Sequence, residues 1–430
     1  IAVGYAALLR AAELYDGAKG DSFADYAARW IRQAIRRAVR RVPDVPQNAR
    51  ITVSPGLGSA IDVRESPVDI VLENSLLRVQ VSRRSGHLVQ VWDKRGQRFA
   101  LGREALSGPG NVLQAIAEIP HEGTAWVLAL SDEADDLDQP ELVEVVQRGP
   151  LRVAVRVAYR YRDSYFEQTI SLSAGSPLVE FVLRAHWYEC DRCLKVAFPA
   201  AVEGGEARFE SPLGSIVRPA DGGEVPALRW IDVSSEEYGV SLLNDCRYAF
   251  DVRSPRDAGG PDSPGGTTMR MTLLRGFPDM SPEADAGEHE LYYALYPHAG
   301  PWQEADTVRQ GWAFNMPLIA RQALRRAGVI APWVGPGINH AMPPAFGFLS
   351  VEQENVVLTA FKLEDEVWGP GSPVIVRLYE TAGKSTEARI TFAAPLMMIE
   401  ETNHLEARIE SDAYDWDGEA QVTVRFRAHE

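Results

Sequence analysis

The sequence predicts a mainly β protein, a large antiparallel sandwich followed by a smaller one, and three observations carry that prediction. Apolar residues recur at helical spacing only over residues 5–15 and 22–42. From about residue 68 onward, apolar and polar residues alternate in long runs rich in aromatic and β-branched side chains, as pleated, half-buried strands require. These runs follow one another across Gly/Pro turn signals rather than alternating with helical stretches, which speaks against βαβ units.

The helical start is read as the end of a helical bundle, residues 1–45. Ser22 can cap the second helix, and Phe23, Tyr26, Trp30, Ile31, Ile35 and Val39 form its apolar face. The opposite face is basic, with Arg29, Arg32, Arg36, Arg37, Arg40 and Arg41. Pro43, Pro46, Pro55, Gly56 and Gly58 then mark a linker, taken as residues 46–67. The main β domain is expected over 68–335. Its strands include Ile70 to Val81 and a return over His87 to Asp93. Val143 to Val157 is broken by Gly149-Pro150, and Tyr165 to Leu172 and Leu178 to Trp187 flank Gly175-Ser176-Pro177. Ser254 to Gly266 and the acidic run Asp132 to Asp138 read as loops, and residues 336–430 as the smaller sandwich.

Composition narrows the function. The 430 residues hold 45% hydrophobic and 24% charged side chains, enough for two or three soluble domains. No apolar run reaches the roughly 18–20 residues that cross a bilayer. Acidic residues outnumber basic ones by 60 to 44 and the formal charge is −16, so neither nucleic acid nor an anionic membrane is the expected partner. No leader sequence is legible, and the sequence leaves the compartment open with the cytoplasm favoured. Three cysteines are too few for a disulfide framework. Cys190 and Cys193 form a C-x-x-C, but within His186 to Val196 they read as part of a strand rather than a zinc knuckle.

Motifs of hydrolytic chemistry are missing. None of the eight histidines stands in H-E-x-x-H or H-x-D, so no local set offers the three ligands of a hydrolytic zinc. A nucleophile elbow, a Walker loop and a Rossmann glycine set are also absent. A retaining glycosidase needs two carboxyls about 5–5.5 Å apart, which counting acidic residues does not identify.

Several segments, taken in order, resemble the C-terminal region of the family 38 glycoside hydrolases, the α-mannosidases. Leu72-Glu73-Asn74 to Val79, Ser85-Gly86 and Val91-Trp92-Asp93-Lys94 resemble a strand, turn and return strand of that family. Asn111 to Gln114 with Pro120-His121-Glu122 and Ala125-Trp126 resemble the next stretch. Trp187 with Leu194-Lys195-Val196-Ala197-Phe198-Pro199 follows, and then Phe209 to Gly214 with Arg218-Pro219. Leu273-Leu274-Arg275, Pro278-Asp279, Glu283 to His289 and Tyr293 to His298 give the most specific likeness. Val376 to Glu380 and Glu401 to Glu406 extend it to the last sandwich.

The resemblance implies a galactose-mutarotase-like supersandwich, then a small immunoglobulin-like sandwich. It implies that catalysis belongs to an N-terminal barrel elsewhere, where zinc held by two histidines and two aspartates grips mannose and an aspartate is the nucleophile. No catalytic residue, metal or cofactor is expected from this chain itself, and it is expected to be inactive alone. Expected partners are that barrel and mannosides. Arg275, Asp279, Asp285, Glu288 and His289 are read as one polar loop facing the barrel, with Glu210 and Arg218 on a second lip, as candidate substrate-cleft residues; the favoured alternative is that they hold a long β-loop together and that the Phe209-to-Pro219 hairpin is a turn required by Pro212 and Gly214. The alternative is a free-standing carbohydrate-binding or scaffold protein without hydrolase activity.

Overall fold

The structure is a computed structural model that describes residues 61–102, 108–121, 123, 126–202, 205–254, 266–276, 285–319, 346–364 and 373–429. The helices expected at 5–15 and 22–42 lie outside them, as do Asp279 and residues 255–265 of the expected loop. Contacts divide the chain into Ile1–Gly58 and Ser59–Glu430, and the description below concerns the second unit.

Alternation decides which way each strand faces. In Ser164–Ser173, Ser164, Phe166, Gln168 and Ile170 are buried while Tyr165, Glu167 and Thr169 between them are half-buried. In Val179–Trp187 the same holds for Val179, Phe181, Leu183, Ala185 and Trp187. Successive side chains of a strand point to opposite faces, so a period of two buries one face only.

Three antiparallel sheets share one core. The first runs β1 (Asp62–Glu65), β2 (Asp69–Glu73), β3 (Leu77–Ser82), β4 (Leu88–Asp93) and β5 (Arg98–Gly102) in sequence order. The second holds six strands: β6 (Val112–Glu118), β7 (Leu130–Asp136), β12 (Arg192–Ala200), β15 (Val225–Pro226), β18 (Ala249–Arg253) and β19 (Thr267–Arg275). The third has nine, in the order β14 (Gly214–Val217), β13 (Glu206–Ser211), β16 (Trp230–Ser234), β17 (Tyr238–Asn244), β20 (Gly287–Ala299), β11 (Val179–Trp187), β10 (Ser164–Ser173), β9 (Arg152–Tyr161) and β8 (Leu142–Arg148). Side chains from all three sheets, among them Leu72, Phe166, Phe181, Trp187, Phe198, Phe250 and Tyr293, join in one apolar cluster. This is the supersandwich expected from the sequence.

Two expectations fail on detail. The acidic run 132–138 is largely strand: β7 pairs with β6, and the Asp135 carboxylate accepts a hydrogen bond from the Tyr161 hydroxyl at 2.6 Å. It lies at the edge of the six-stranded sheet, where charge keeps an open strand from pairing further. The expected linker also contains β1, which pairs with β2.

The second apolar cluster centres on Trp230, Tyr296, Trp302 and Val308. Val308 belongs to α1 (Thr307–Asn315), a helix not foreseen in the sequence and the one helix among the described residues. Gly311 lets it approach, since a Cβ there would stand 2.9 Å from the Trp230 ring. No described helix is long and apolar enough to cross a membrane.

The smaller sandwich comprises β21 (Leu349–Val351), β24 (Thr386–Phe392), β26 (Gln421–Phe426) and β25 (Tyr414–Trp416) in one sheet, with β22 (Val356–Leu363) and β23 (Val374–Glu380) in another. Its polar keystone is Glu380, whose side chain is fully buried. The carboxylate accepts the backbone N–H groups of Ala382 at 2.6 Å, Gly383 at 2.8 Å, Lys384 at 3.0 Å and His429 at 3.1 Å, and the Asn355 amide at 2.8 Å. Burial opposes ionisation, but the His429, Asn355, Ala382 and Lys384 donors outweigh it and hold the carboxyl below its ordinary 4.5. The unfolded chain therefore takes up this proton first as the pH falls. The stability that Glu380 contributes is complete above about 4.5 and is lost as the pH drops through the lowered folded value. Denaturant unfolding of the wild type is expected to show this acid-side loss, and Glu380→Gln to lack it. Equal acid slopes in the two proteins would contradict the assignment.

Candidate functional site

The most specific sequence segment converges on one end of three inner strands of the six-stranded sheet. β12 lies between β6 and β19, so Cys193 is opposite both Ile116 and Arg275. Directly opposed residues share a face, and Arg275 reaches over the small Cys193 side chain toward Glu118, the last residue of β6. Its guanidinium makes a two-pronged contact with that carboxylate: Nε donates to Oε2 at 2.8 Å and Nη2 donates to Oε1. The Glu118 side chain is fully buried and that of Arg275 is 14% exposed. The Arg275 backbone N–H donates to Asp285 Oδ2 at 2.8 Å. His289 Nε2 donates to the Asp285 carbonyl at 2.6 Å, which fixes that tautomer.

Arg275, Asp285 and His289 are thus brought together. They stand on the end of β19, the approach to β20 and β20 itself, so the expected loop is partly strand. Glu288 points away: its side chain is 82% exposed and stands 3.8 Å from His186 Nδ1 on β11. Next to Arg275, Gly276 packs so closely under Glu189 and Cys190 that any Cβ would collide with their backbone.

Glu210 and Arg218 do not join this group. Both lie on the β13–β14 hairpin, whose left-handed residue is Leu213, at φ 60°. Glu210 is buried and accepts from Arg229: backbone N–H at 2.6 Å, Nε at 3.1 Å and Nη2 at 2.6 Å. The Arg229 guanidinium lies 3.7 Å from the Trp312 ring centroid on α1, and Trp312 Nε1 donates to the Tyr379 hydroxyl at 3.3 Å. Glu210 is therefore an internal tie between the nine-stranded sheet, the helix and the smaller sandwich. Arg218 is half-buried, and its Nε has no hydrogen-bond partner among the described residues.

Two further polar clusters escaped the sequence reading. Lys195, buried on the same face of β12 as Cys193, contacts Glu224 and donates to Asp251 at 2.6 Å, while Arg270 donates to Asp251 at 2.8 Å. The signal was a lysine in the middle of an otherwise apolar strand. Asp232, also buried, accepts from His298 Nε2 at 2.8 Å and from the Ser241 hydroxyl at 2.7 Å through one oxygen, Oδ2. Because serine and histidine both bind the carboxylate, and not each other, this is a structural tie rather than a nucleophile and its base.

Among the described residues, no group of three or more His, Cys, Asp or Glu side chains could hold a metal ion. Burial pushes the Cys193 thiol up to about 12, leaving it protonated and inert as a ligand. Cys190 is exposed, and both are free thiols.

Comparison with known proteins places these features. The Glycosyl hydrolases family 38 C-terminal domain matches residues 72–281, and the family's C-terminal beta sandwich domain matches residues 355–430. Residues 1–42, outside the described structure, match Sigma-70 region 2, so the comparisons give no support to reading them as the end of a glycosidase bundle. Human Alpha-mannosidase 2C1 is 29% identical over 348 residues, 78% of this chain and 30% of that protein. Alpha-mannosidase G of Dictyostelium discoideum is 24% identical over 381 residues, 84% of this chain and 32% of its own length. The chain thus spans about a third of these curated relatives. The crystal structure of an alpha-mannosidase from Enterococcus faecalis V583 superposes with a TM-score of 0.61 at 16% identity, covering 83% of this chain and 42% of that one. With both C-terminal domain matches falling in order on the two β domains described above, the chain belongs to glycosyl hydrolase family 38 and carries its C-terminal region.

Proposed function

We propose that residues 59–430 form the non-catalytic β portion of an α-mannosidase, which supports the mannoside cleft of a zinc-bearing barrel on another segment. The observation that carries this reading is coverage: similarity runs over 78% of this chain yet over 30% of human Alpha-mannosidase 2C1. Exposed apolar side chains near the Glu118–Arg275 pair support the reading. Ile119, Trp126 and Val127, at 48, 79 and 61% exposure, lie between β6 and β7 on the stretch that follows Glu118, and the Val127 carbonyl stands beside Arg275. The Val127 carbonyl accepts from His121 Nε2 at 3.0 Å and lies 3.5 Å from an Arg275 nitrogen. Large apolar side chains gathered at one rim are the usual mark of a covered surface. Arg275 then holds the rim in place from behind. A cytoplasmic setting accompanies the proposal, since free thiols such as Cys190 persist in a reducing compartment.

The test is reconstitution. The purified chain alone should neither hydrolyse nitrophenyl α-mannoside nor bind zinc stoichiometrically. Added to a separately produced family 38 barrel, it should raise that barrel's activity, and Trp126→Ala should weaken the association. Hydrolysis by the chain alone, or tight zinc binding to it, would sink the proposal.

A further inference from the structure

Where the three sheets of the supersandwich meet, a groove of about 760 Å³ opens. Its lining comes from the β4–β5 turn, the β16–β17 turn and the chain just after β12. Trp92 and Phe99 supply rings, Gln97 and Arg98 supply hydrogen-bond donors, and Glu236 and Glu237 supply carboxylates. We propose that this groove binds a neutral saccharide of one or two pyranose rings.

Chemistry selects the ligand class. Trp92 and Phe99 are half-buried and meet edge to face at 4.6 Å and 62°, which fixes the indole as a platform for the apolar face of a pyranose. The rim offers an amide that both donates and accepts, a guanidinium that donates, and two carboxylates that accept, matching hydroxyls that do both. Arg98 is already engaged, 4.6 Å from the Tyr238 ring centroid and 3.9 Å from Glu237. The rim is therefore net acidic and repels phosphates and acidic sugars. The volume lies within the range of small-molecule sites, roughly 300–1,000 Å³.

The walls are fixed before any ligand arrives. Tyr238 O accepts from the Ser235 backbone at 2.9 Å and from its hydroxyl at 3.2 Å, and Gly300 N–H donates to Glu237 O at 2.8 Å. Gln97 is held at φ 48°, although a glycine stands next to it. A non-glycine residue kept in the left-handed region, with its side chain lining a groove, is strain of the kind that gathers at binding sites.

Calorimetric titration of the full chain with methyl α-mannoside and with an α-linked mannobiose tests the proposal without reading mannosidase activity, so it can fail independently of the barrel-supporting role. Binding in the millimolar range or tighter is expected. Gln97→Gly removes the amide while relieving the backbone, and Glu236→Ala changes an exposed side chain. Each should weaken saccharide binding about fivefold or more with the unfolding midpoint unchanged or, for Gln97→Gly, raised. The proposal is overturned if neither sugar gives heat up to roughly 20 mM, if both variants bind as the wild type does, or if inorganic phosphate or glucuronate binds more tightly than the neutral sugars.

Discussion

Arg275→Ala is expected to destabilise the β portion by about 3–5 kcal/mol, the cost of breaking one partner from a buried ion pair. The reason lies in the β6–β12–β19 trio. Glu118 is fully buried and its two oxygens face the Arg275 guanidinium across Cys193. Truncation takes the fork from a carboxylate that has already been desolvated. Arg275→Lys keeps the charge but cannot match both oxygens, and an intermediate loss is expected. Denaturant midpoints of the three proteins measure the effect. Unchanged midpoints, with a changed KM only when a barrel is present, would assign Arg275 to sugar recognition instead.

Glu210→Ala is the second large effect, again about 3–5 kcal/mol. Here the stranded group is Arg229, which keeps its stacking on Trp312 but loses three hydrogen bonds to the Glu210 carboxylate. The consequence reaches beyond one sheet because Trp312 also contacts Tyr379 of the smaller sandwich. Limited proteolysis should therefore release or degrade residues 346–429 faster in the variant, before the supersandwich opens. A variant with wild-type stability and proteolysis but altered activity beside a barrel would restore Glu210 to the cleft.

The contrast between these two residues shows how far sequence motifs carry. Phe209 to Gly214 and Leu273 to His289 both announced the family correctly, because the residues that define a hairpin or a strand entry are contiguous. What each charged side chain does was not legible there. Glu118 lies 157 positions from Arg275, and Glu210 19 from Arg229, and no periodicity links such partners. The alternation of β10 and β11 was readable because each residue's facing depends only on its neighbours in sequence. The acidic run 132–138 was misread for the opposite reason: charge disfavours burial, not extension, and an edge strand leaves one side in water.

By itself, the sequence determined the β class, the two-sandwich order and the family, since local alternation, turn chemistry and ordered motifs are written along the chain. Only the tertiary structure decided which carboxylates are ties and which groove remains open, because ion-pair partners and groove walls come from strands far apart in sequence. Lys195 in its buried cluster and Gln97 at its strained turn are products of that assembly: burial sets the energy of a charge, and packing alone holds a side chain against its backbone preference.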